Sequence, residues 1–321
     1  MLAFTIFIFK FLKKEDAFVK RKNRLFILAC IVPALLCFLF LFIYPILRTF
    51  FMSVYKVPTV NDDFSNWTFL GWQNFITLSH SYLFSKSMLN MLNIWMIGGI
   101  TTLAFALLFA VILTSGVKGK AFWRSLIYLP NIISAVALAS MWTQYVFNGK
   151  FGLLKTVFSA LHLDTLANIQ WTSPEHLFQA MLFSYCFGCI GYFMLILLAG
   201  IERIPVDLYE CAYLEGANKF VSFWKITFPL IRDVFRTCIM LWTVSVVNFF
   251  VWSLMFSNAA DSNTIVPAVY MYISIFGSDT GGGGTTLNVG AGAAVGVLLT
   301  IIVMAMYAIL NLILPERKLE Y

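Results

Sequence analysis

The chain has 321 residues, of which 60% are apolar and only 12% charged, with a formal net charge of +7. Soluble domains carry roughly twice that charged share, so a water-soluble globular fold is excluded. The excess of basic residues needs no nucleic acid, because anionic lipid headgroups supply the counter-charge when such residues gather on one side of a membrane.

The stretch Leu2–Phe9 is apolar but too short to cross a bilayer. No positive region precedes it and no small-residue cleavage site follows it, so a signal peptide is rejected. Residues 1–24 are expected to be a cytoplasmic N-terminal segment, with the apolar stretch lying on the membrane surface. About 20 helical residues span the hydrocarbon core. Six runs meet that length: Leu25–Phe51, Ser87–Thr114, Leu126–Phe147, Leu177–Gly200, Phe235–Phe256 and Gly290–Leu314. The expected fold is therefore an all-α membrane protein with six transmembrane helices. Trp67, Trp72, Trp123, Trp142, Trp171 and Trp252 fall near span ends or in loops, as interfacial belts require.

With the N-terminus inside, seventeen of the 22 basic residues lie on the cytoplasmic side, in the N-terminal segment, around Lys118–Arg124, across Arg203–Arg236 and at Arg317–Lys318. Arg48, Lys56, Lys86, Lys150 and Lys155 remain outside. This asymmetry obeys the positive-inside bias and returns the C-terminus to the cytoplasm. Between spans, Thr172-Ser173-Pro174-Glu175 is a helix-start signal. Ile265–Phe276, with Pro267, reads as a re-entrant or surface helix, and Gly281–Gly284 as a flexible linker without a phosphate-binding Gly-Lys-Ser/Thr ending.

Cys186 and Cys189 have a metal-like spacing but sit mid-span with no second ligand pair, so they read as small packing residues and no metal site is expected. His80, His162 and His176 fall in outer loops. No Asp, Glu, Lys, Arg or His lies in the core of a proposed span. Gradient-driven transporters and proton pumps usually need such groups to bind the coupling ion. An energy source outside this chain is expected; a gradient-driven transporter or channel for a small polar solute is the alternative. Clustered catalytic side chains are absent, so no enzyme activity is expected and no catalytic residue is assigned.

The polar insert 201–234 interrupts this apolar sequence. Pro205 suits a helix start, with Asp207 complementing the dipole in the first turn. Leu208, Cys211 and Ala212 share one face, flanked by Glu210 and Tyr213. Gly216 is a natural helix stop. A second helix begins near Asn218, and Pro229 is expected to end it ahead of the next span. Two readings fit: a helix–turn–helix that docks in a groove of a soluble partner, or a solvated loop with helical content.

The sequence Glu210-Cys211-Ala212, Gly216-Ala217, Phe223, Ile226-Thr227-Phe228-Pro229, preceded by Leu198-Ala199-Gly200 and Ile204-Pro205, resembles the coupling loop of permease subunits in binding-protein-dependent bacterial ATP-binding-cassette importers. Gly71-x-x-Asn74-Phe75, Arg124, Leu129-Pro130, Trp142 and Gly152 extend the resemblance from Pro33 onward, and it is strongest to the sugar-type branch. Cys211 stands where Ala is usual, Glu215 where Asp is usual, and Asn258–Asp261 replaces a Gly-Gly-Pro turn.

The resemblance implies a second permease, two ATPase subunits and an extracytoplasmic solute-binding protein as partners, in the bacterial cytoplasmic membrane. It implies that this chain binds no cofactor and that ATP is used by the ATPases. Glu210, Cys211, Ala212, Gly216, Ala217, Phe223, Ile226 and Pro229 become the ATPase-coupling residues. The solute is expected to be a sugar, an oligosaccharide or a polyol phosphate. Asn93, Tyr185, Trp242, Asn248 and Trp252 are candidates for its pathway, since amides hydrogen-bond and aromatic rings stack on sugars.

Overall fold

The computed structural model describes residues 21–59, 63–257, 261–277 and 287–315, with side chains from residue 29 onward. The expectations for the surface anchor 2–9, the glycine linker, the 258–260 turn and the C-terminal tail lie outside those residues. Within them the chain forms two compact units, residues 1–51 and 52–321.

The first unit carries α1 (Arg21–Phe38), which runs through a π-helical turn, Leu39–Ile43, into α2 (Tyr44–Ser53). From Ala29 to Phe51 its apolar side chains are exposed apart from the half-buried Ile43, Phe40 and Leu41 by more than two thirds, as suits a helix meant for lipid or for another chain.

The second unit opens with a two-stranded antiparallel ladder, β1 (Tyr55–Lys56) on β2 (Thr68–Phe69). The short α3 (Gln73–His80) follows. α4 (Tyr82–Asn93) begins where Ser81 Oγ accepts the Phe84 N–H, then passes through a π turn, Ile94–Gly98, into α5 (Gly99–Thr114). This makes the second span five residues longer than its apolar run, because a cap rather than hydropathy sets its start.

The expected third span is not a straight helix. α6 (Lys120–Ile132) and α7 (Ala135–Met141), with its π-helical extension Trp142–Val146, meet at 96°. Pro130 weakens the end of α6, Ile133 is extended, and Ser134 Oγ caps α7 by accepting the Ala137 N–H. After α8 (Leu153–Ala160) and α9 (Asp164–Ala167), α10 (Leu177–Ile201) runs unbroken through the middle of this unit, with 61% of its most apolar window buried. It packs on α5, α6, α7 and the fifth segment.

The insert forms α11 (Val206–Leu214), α12 (Lys219–Ser222), a π turn Phe223–Thr227 and α13 (Phe228–Leu230). The fifth segment is also broken. α14 (Arg232–Val247) and α15 (Phe250–Phe256) diverge by 49° at Asn248–Phe249, where Asn248 Nδ2 donates to the Val244 carbonyl and competes with the helix ladder. α16 (Pro267–Phe276) starts at Pro267 and packs against α4 and α17 (Val289–Ile313). Pro267 therefore opens a helix rather than interrupting one. Among the described residues, four helices are long and apolar enough to cross a membrane, or six segments when each bent pair counts once.

Three of the six tryptophans expected in interfacial belts, Trp67, Trp142 and Trp252, are instead buried, while Trp72 and Trp123 are exposed. Hydropathy could not separate them, since an indole suits either setting.

Candidate functional site

The insert between α10 and α14 holds its shape by local chemistry. Pro205 precedes the first residue of α11, and Asp207 sits in the first turn where the dipole favours a negative charge. The helix stops in a Schellman turn: the Gly216 N–H donates to the Tyr213 carbonyl at 3.0 Å and the Ala217 N–H to the Ala212 carbonyl at 2.9 Å. Gly216 has φ +78°, a conformation that costs an L-residue with a side chain about 1–2 kcal/mol. Two residues on, Asn218 Oδ1 accepts the Val221 N–H at 2.8 Å and starts α12, a cap contributing about 1 kcal/mol.

Pro229 does not end the second arm. The helix continues to Leu230 and breaks at Ile231. The π turn ahead of Pro229, closed by the Phe228 N–H on the Phe223 carbonyl, widens the helix where the pyrrolidine ring would otherwise strike a carbonyl. Tyr209 Oη and Thr227 Oγ1 meet at 2.9 Å and tie the two arms together. Lys120 Nζ donates to Glu202 Oε1 at 2.5 Å, joining the start of α6 to the end of α10 beside the insert. A groove of about 600 Å³ runs between these span ends and the insert, lined among others by Lys120, Glu202, Tyr209, Lys219, Phe223 and Thr227.

Of the expected coupling residues, Glu210, Cys211, Gly216 and Pro229 are exposed, while Ala212, Ala217, Phe223 and Ile226 are half-buried. The first four face solvent and the second four are partly covered by the insert and its surroundings. Sequence reading did not assign the most prominent apolar side chains of the tip. Leu214 is 84% exposed, Tyr213 80% and Phe220 71%. A signal existed: three large apolar residues flank the glycine stop, where a solvated turn would carry polar ones.

The expected pathway residues divide into two groups. Tyr185, Trp242 and Trp252 are buried, and Tyr185 is packed at ring distances of 5.5 Å from Trp242, 4.5 Å from Phe249 and 5.6 Å from Trp252. Trp242 lies so close to α5 that a Cβ on Gly99 would stand 2.6 Å from its Nε1. That Nε1 donates to the Trp95 carbonyl at 3.0 Å, and Trp95 Nε1 donates back to Thr243 Oγ1 at 2.9 Å. These rings cement the second, fourth and fifth segments in this conformation. Asn93 and Asn248 are exposed and are not brought together with them.

A family model described as the binding-protein-dependent transport system inner membrane component matches residues 102–318, about two thirds of the chain. The chain belongs to this family. As an inner membrane component it is a multi-pass transport permease, and this is not a catalytic enzyme family. Among relatives of known name, the chain is 25% identical over 236 residues to the diacetylchitobiose uptake system permease protein NgcF of Streptomyces coelicolor, covering 70% of this chain and 67% of that one. It is 27% identical to the trehalose/maltose transport system permease protein MalF of Thermococcus litoralis, covering 68% and 72% of the two chains. Its fold matches a chain of a bacterial ABC transporter that imports the acidic polysaccharide alginate, with TM-score 0.76, 18% identity and coverage of 95% of this chain and 98% of that one. The permease family's match includes the whole insert, so the coupling residues named above all lie inside it.

Proposed function

We propose that this permease is the membrane-spanning subunit of an ATP-driven importer that carries a carbohydrate delivered by an external solute-binding protein. The sugar-uptake relatives support the solute class, and the alginate transporter, described in complex with a pentasaccharide-bound periplasmic protein, supports the delivery route. The observation that carries the reading is the exposed apolar tip Tyr213, Leu214 and Phe220 on a rigidly capped turn. An apolar surface in a polar connection has a physical reason to persist when a soluble partner covers it.

One of two ATPase subunits seats this tip, the pair hydrolyses the ATP, and this chain binds no nucleotide. Glu210, Cys211, Ala212, Gly216, Ala217, Phe223, Ile226 and Pro229 set the shape of the docked element. A second permease completes the pathway, and the exposed Asn93 and Asn248 are the residues of this chain available to line it. Tyr185, Trp242 and Trp252 frame that pathway from behind once the segments move. Both termini lie in the cytoplasm in this reading, which the inward bias of basic residues supports. The domain consists of residues 25–321, with the insert 201–234 on the cytoplasmic face.

The test is reconstitution with the second permease, the ATPases and the binding protein in proteoliposomes. ATP-dependent accumulation of a radiolabelled oligosaccharide, with co-purification of the ATPase through the tip, is the expected result. Uptake without ATPase subunits would overturn the reading.

A further inference from the structure

We propose that α17 carries the signal of a docked solute-binding protein from the outer surface to the ATPase-coupling insert. The inference rests on the importer reading above for its partners and sidedness. Its own evidence is a set of contacts at the two ends of one helix.

At one end, α14 starts one residue after α13, the last short helix of the insert, through the buried joint Ile231. Arg232 and Arg236, four residues apart on one face of α14, both reach the carboxyl end of α17. Arg232 Nη2 donates to the Ile313 carbonyl at 3.2 Å and Arg236 Nη1 to the Leu314 carbonyl at 2.9 Å. Ile313 is the last residue of the helix and Leu314 its cap, where carbonyls lack intrahelical partners, and a guanidinium there also suits the helix dipole. Arg236 is 6% exposed, so it is held between helices rather than on lipid headgroups, as its place in the charge pattern implied. The carboxyl end of α17 is thus clasped to the first turns of α14, directly after α13.

At the other end, α17 is built into the β1–β2 hairpin and α3. The Val289 N–H donates to the Val57 carbonyl at 2.9 Å, and Asn288 Nδ2 donates to Asn74 Oδ1 at 3.3 Å. Asn74 is buried, and its Nδ2 donates in turn to the Ser53 and Tyr55 carbonyls at 2.9 Å each. Gly290 is required there, since a Cβ would stand 2.0 Å from the Tyr55 oxygen. The same outer element presents Phe64, Phe69 and Trp72, each at least 68% exposed, to the side where a binding protein arrives.

Between its ends α17 is one uninterrupted helix of 25 residues, about 37 Å long. α14 cannot serve the same purpose alone, because its line breaks by 49° at Asn248–Phe249 before the outer face. α10 is continuous but is packed on several sides as the centre of the unit. α17 is a continuous helix gripped at both ends, and a displacement of the outer hairpin reaches the insert through the two arginines.

The experiment uses the complete importer in proteoliposomes and measures ATP hydrolysis with and without the solute-bound binding protein. Arg232→Gln/Arg236→Met is expected to keep basal hydrolysis while losing about tenfold in its stimulation by the binding protein, the size of an ordinary allosteric coupling. Arg236→Lys, which keeps the charge and a donor, is expected to restore much of it. Asn74→Ala/Asn288→Ala at the opposite end is expected to give the same loss. Combining the two ends should add nothing further, because they act in series. Arg232→Gln alone, at a partly exposed position, covers the case in which the double variant does not assemble, with a smaller loss of the same kind. Full stimulation in assembled Arg232→Gln and Arg232→Gln/Arg236→Met complexes, or losses that add between the ends, would overturn the inference. Wild-type complexes that show no ATP-dependent uptake would instead overturn the importer reading.

Discussion

Two groups of large apolar side chains in this permease look alike in sequence and differ in what surrounds them. Around Trp242, the rings of Tyr185, Phe193, Phe249 and Trp252 lie inside the bundle of second, fourth and fifth segments, with both indole N–H groups of the Trp95–Trp242 pair satisfied. Around Gly216, Tyr213, Leu214 and Phe220 stand out into solvent on a turn fixed by backbone and Asn218 hydrogen bonds. The first cluster is stabilised by its own burial and therefore needs no partner. The second gains little from the fold of this chain, Phe220 touching the Trp224 ring, and under the importer reading proposed above it is covered by a partner. Burial, and not residue type, separates the side chains that pack this fold from those left exposed at the tip of the insert.

The sharpest challenge to that division is Trp242→Ala. It removes a fully buried indole and is expected to destabilise the chain by about 3–5 kcal/mol, read as a lower midpoint of thermal aggregation in detergent. A midpoint equal to wild type would move Trp242 out of the packing class.

Gly216→Val comes next. The strain of φ +78° is local, so membrane insertion should persist while solute uptake falls to background. Uptake at the wild-type rate would remove the insert from the coupling role.

Leu214→Ser with Phe220→Ser should leave stability within about 0.5 kcal/mol, as exposed positions do. Yet the ATPase should bind at least about tenfold more weakly in a pull-down titration, because hot-spot side chains of an interface carry that much. Lost stability with intact ATPase binding would reverse the assignment of the two clusters.

The smallest effects are expected where local capping and exposed charge act alone. Asn218→Ala should cost about 1 kcal/mol of helix stability and weaken ATPase binding only modestly. Lys120→Met, breaking a surface pair with Glu202 in which both side chains are more than a third exposed, should change stability by less than about 1 kcal/mol.

Most of the α-helical span pattern was legible because bilayer crossing is a property of composition and length, which a sequence states openly. The first, fourth and sixth runs appear as helices within a few residues of their apolar limits. Pro205, Gly216 and Asn218 marked the turns of the insert correctly because caps act on their own neighbours. Pro229 misled, since its effect depends on the π turn placed ahead of it. The breaks at Ile133 and Asn248 were hidden inside apolar runs, where hydropathy is blind to helix direction.

The amino-acid order by itself determined that the chain is a multi-segment membrane helix protein with a capped polar insert, because spans and caps are decided within a few turns. Only the tertiary structure decided which tryptophans are interior, that Arg236 clasps the end of the last helix, and that Asn74 joins residues more than two hundred positions apart. Burial and hydrogen-bond partnership belong to pairs of distant segments, and no single segment carries them in its own sequence.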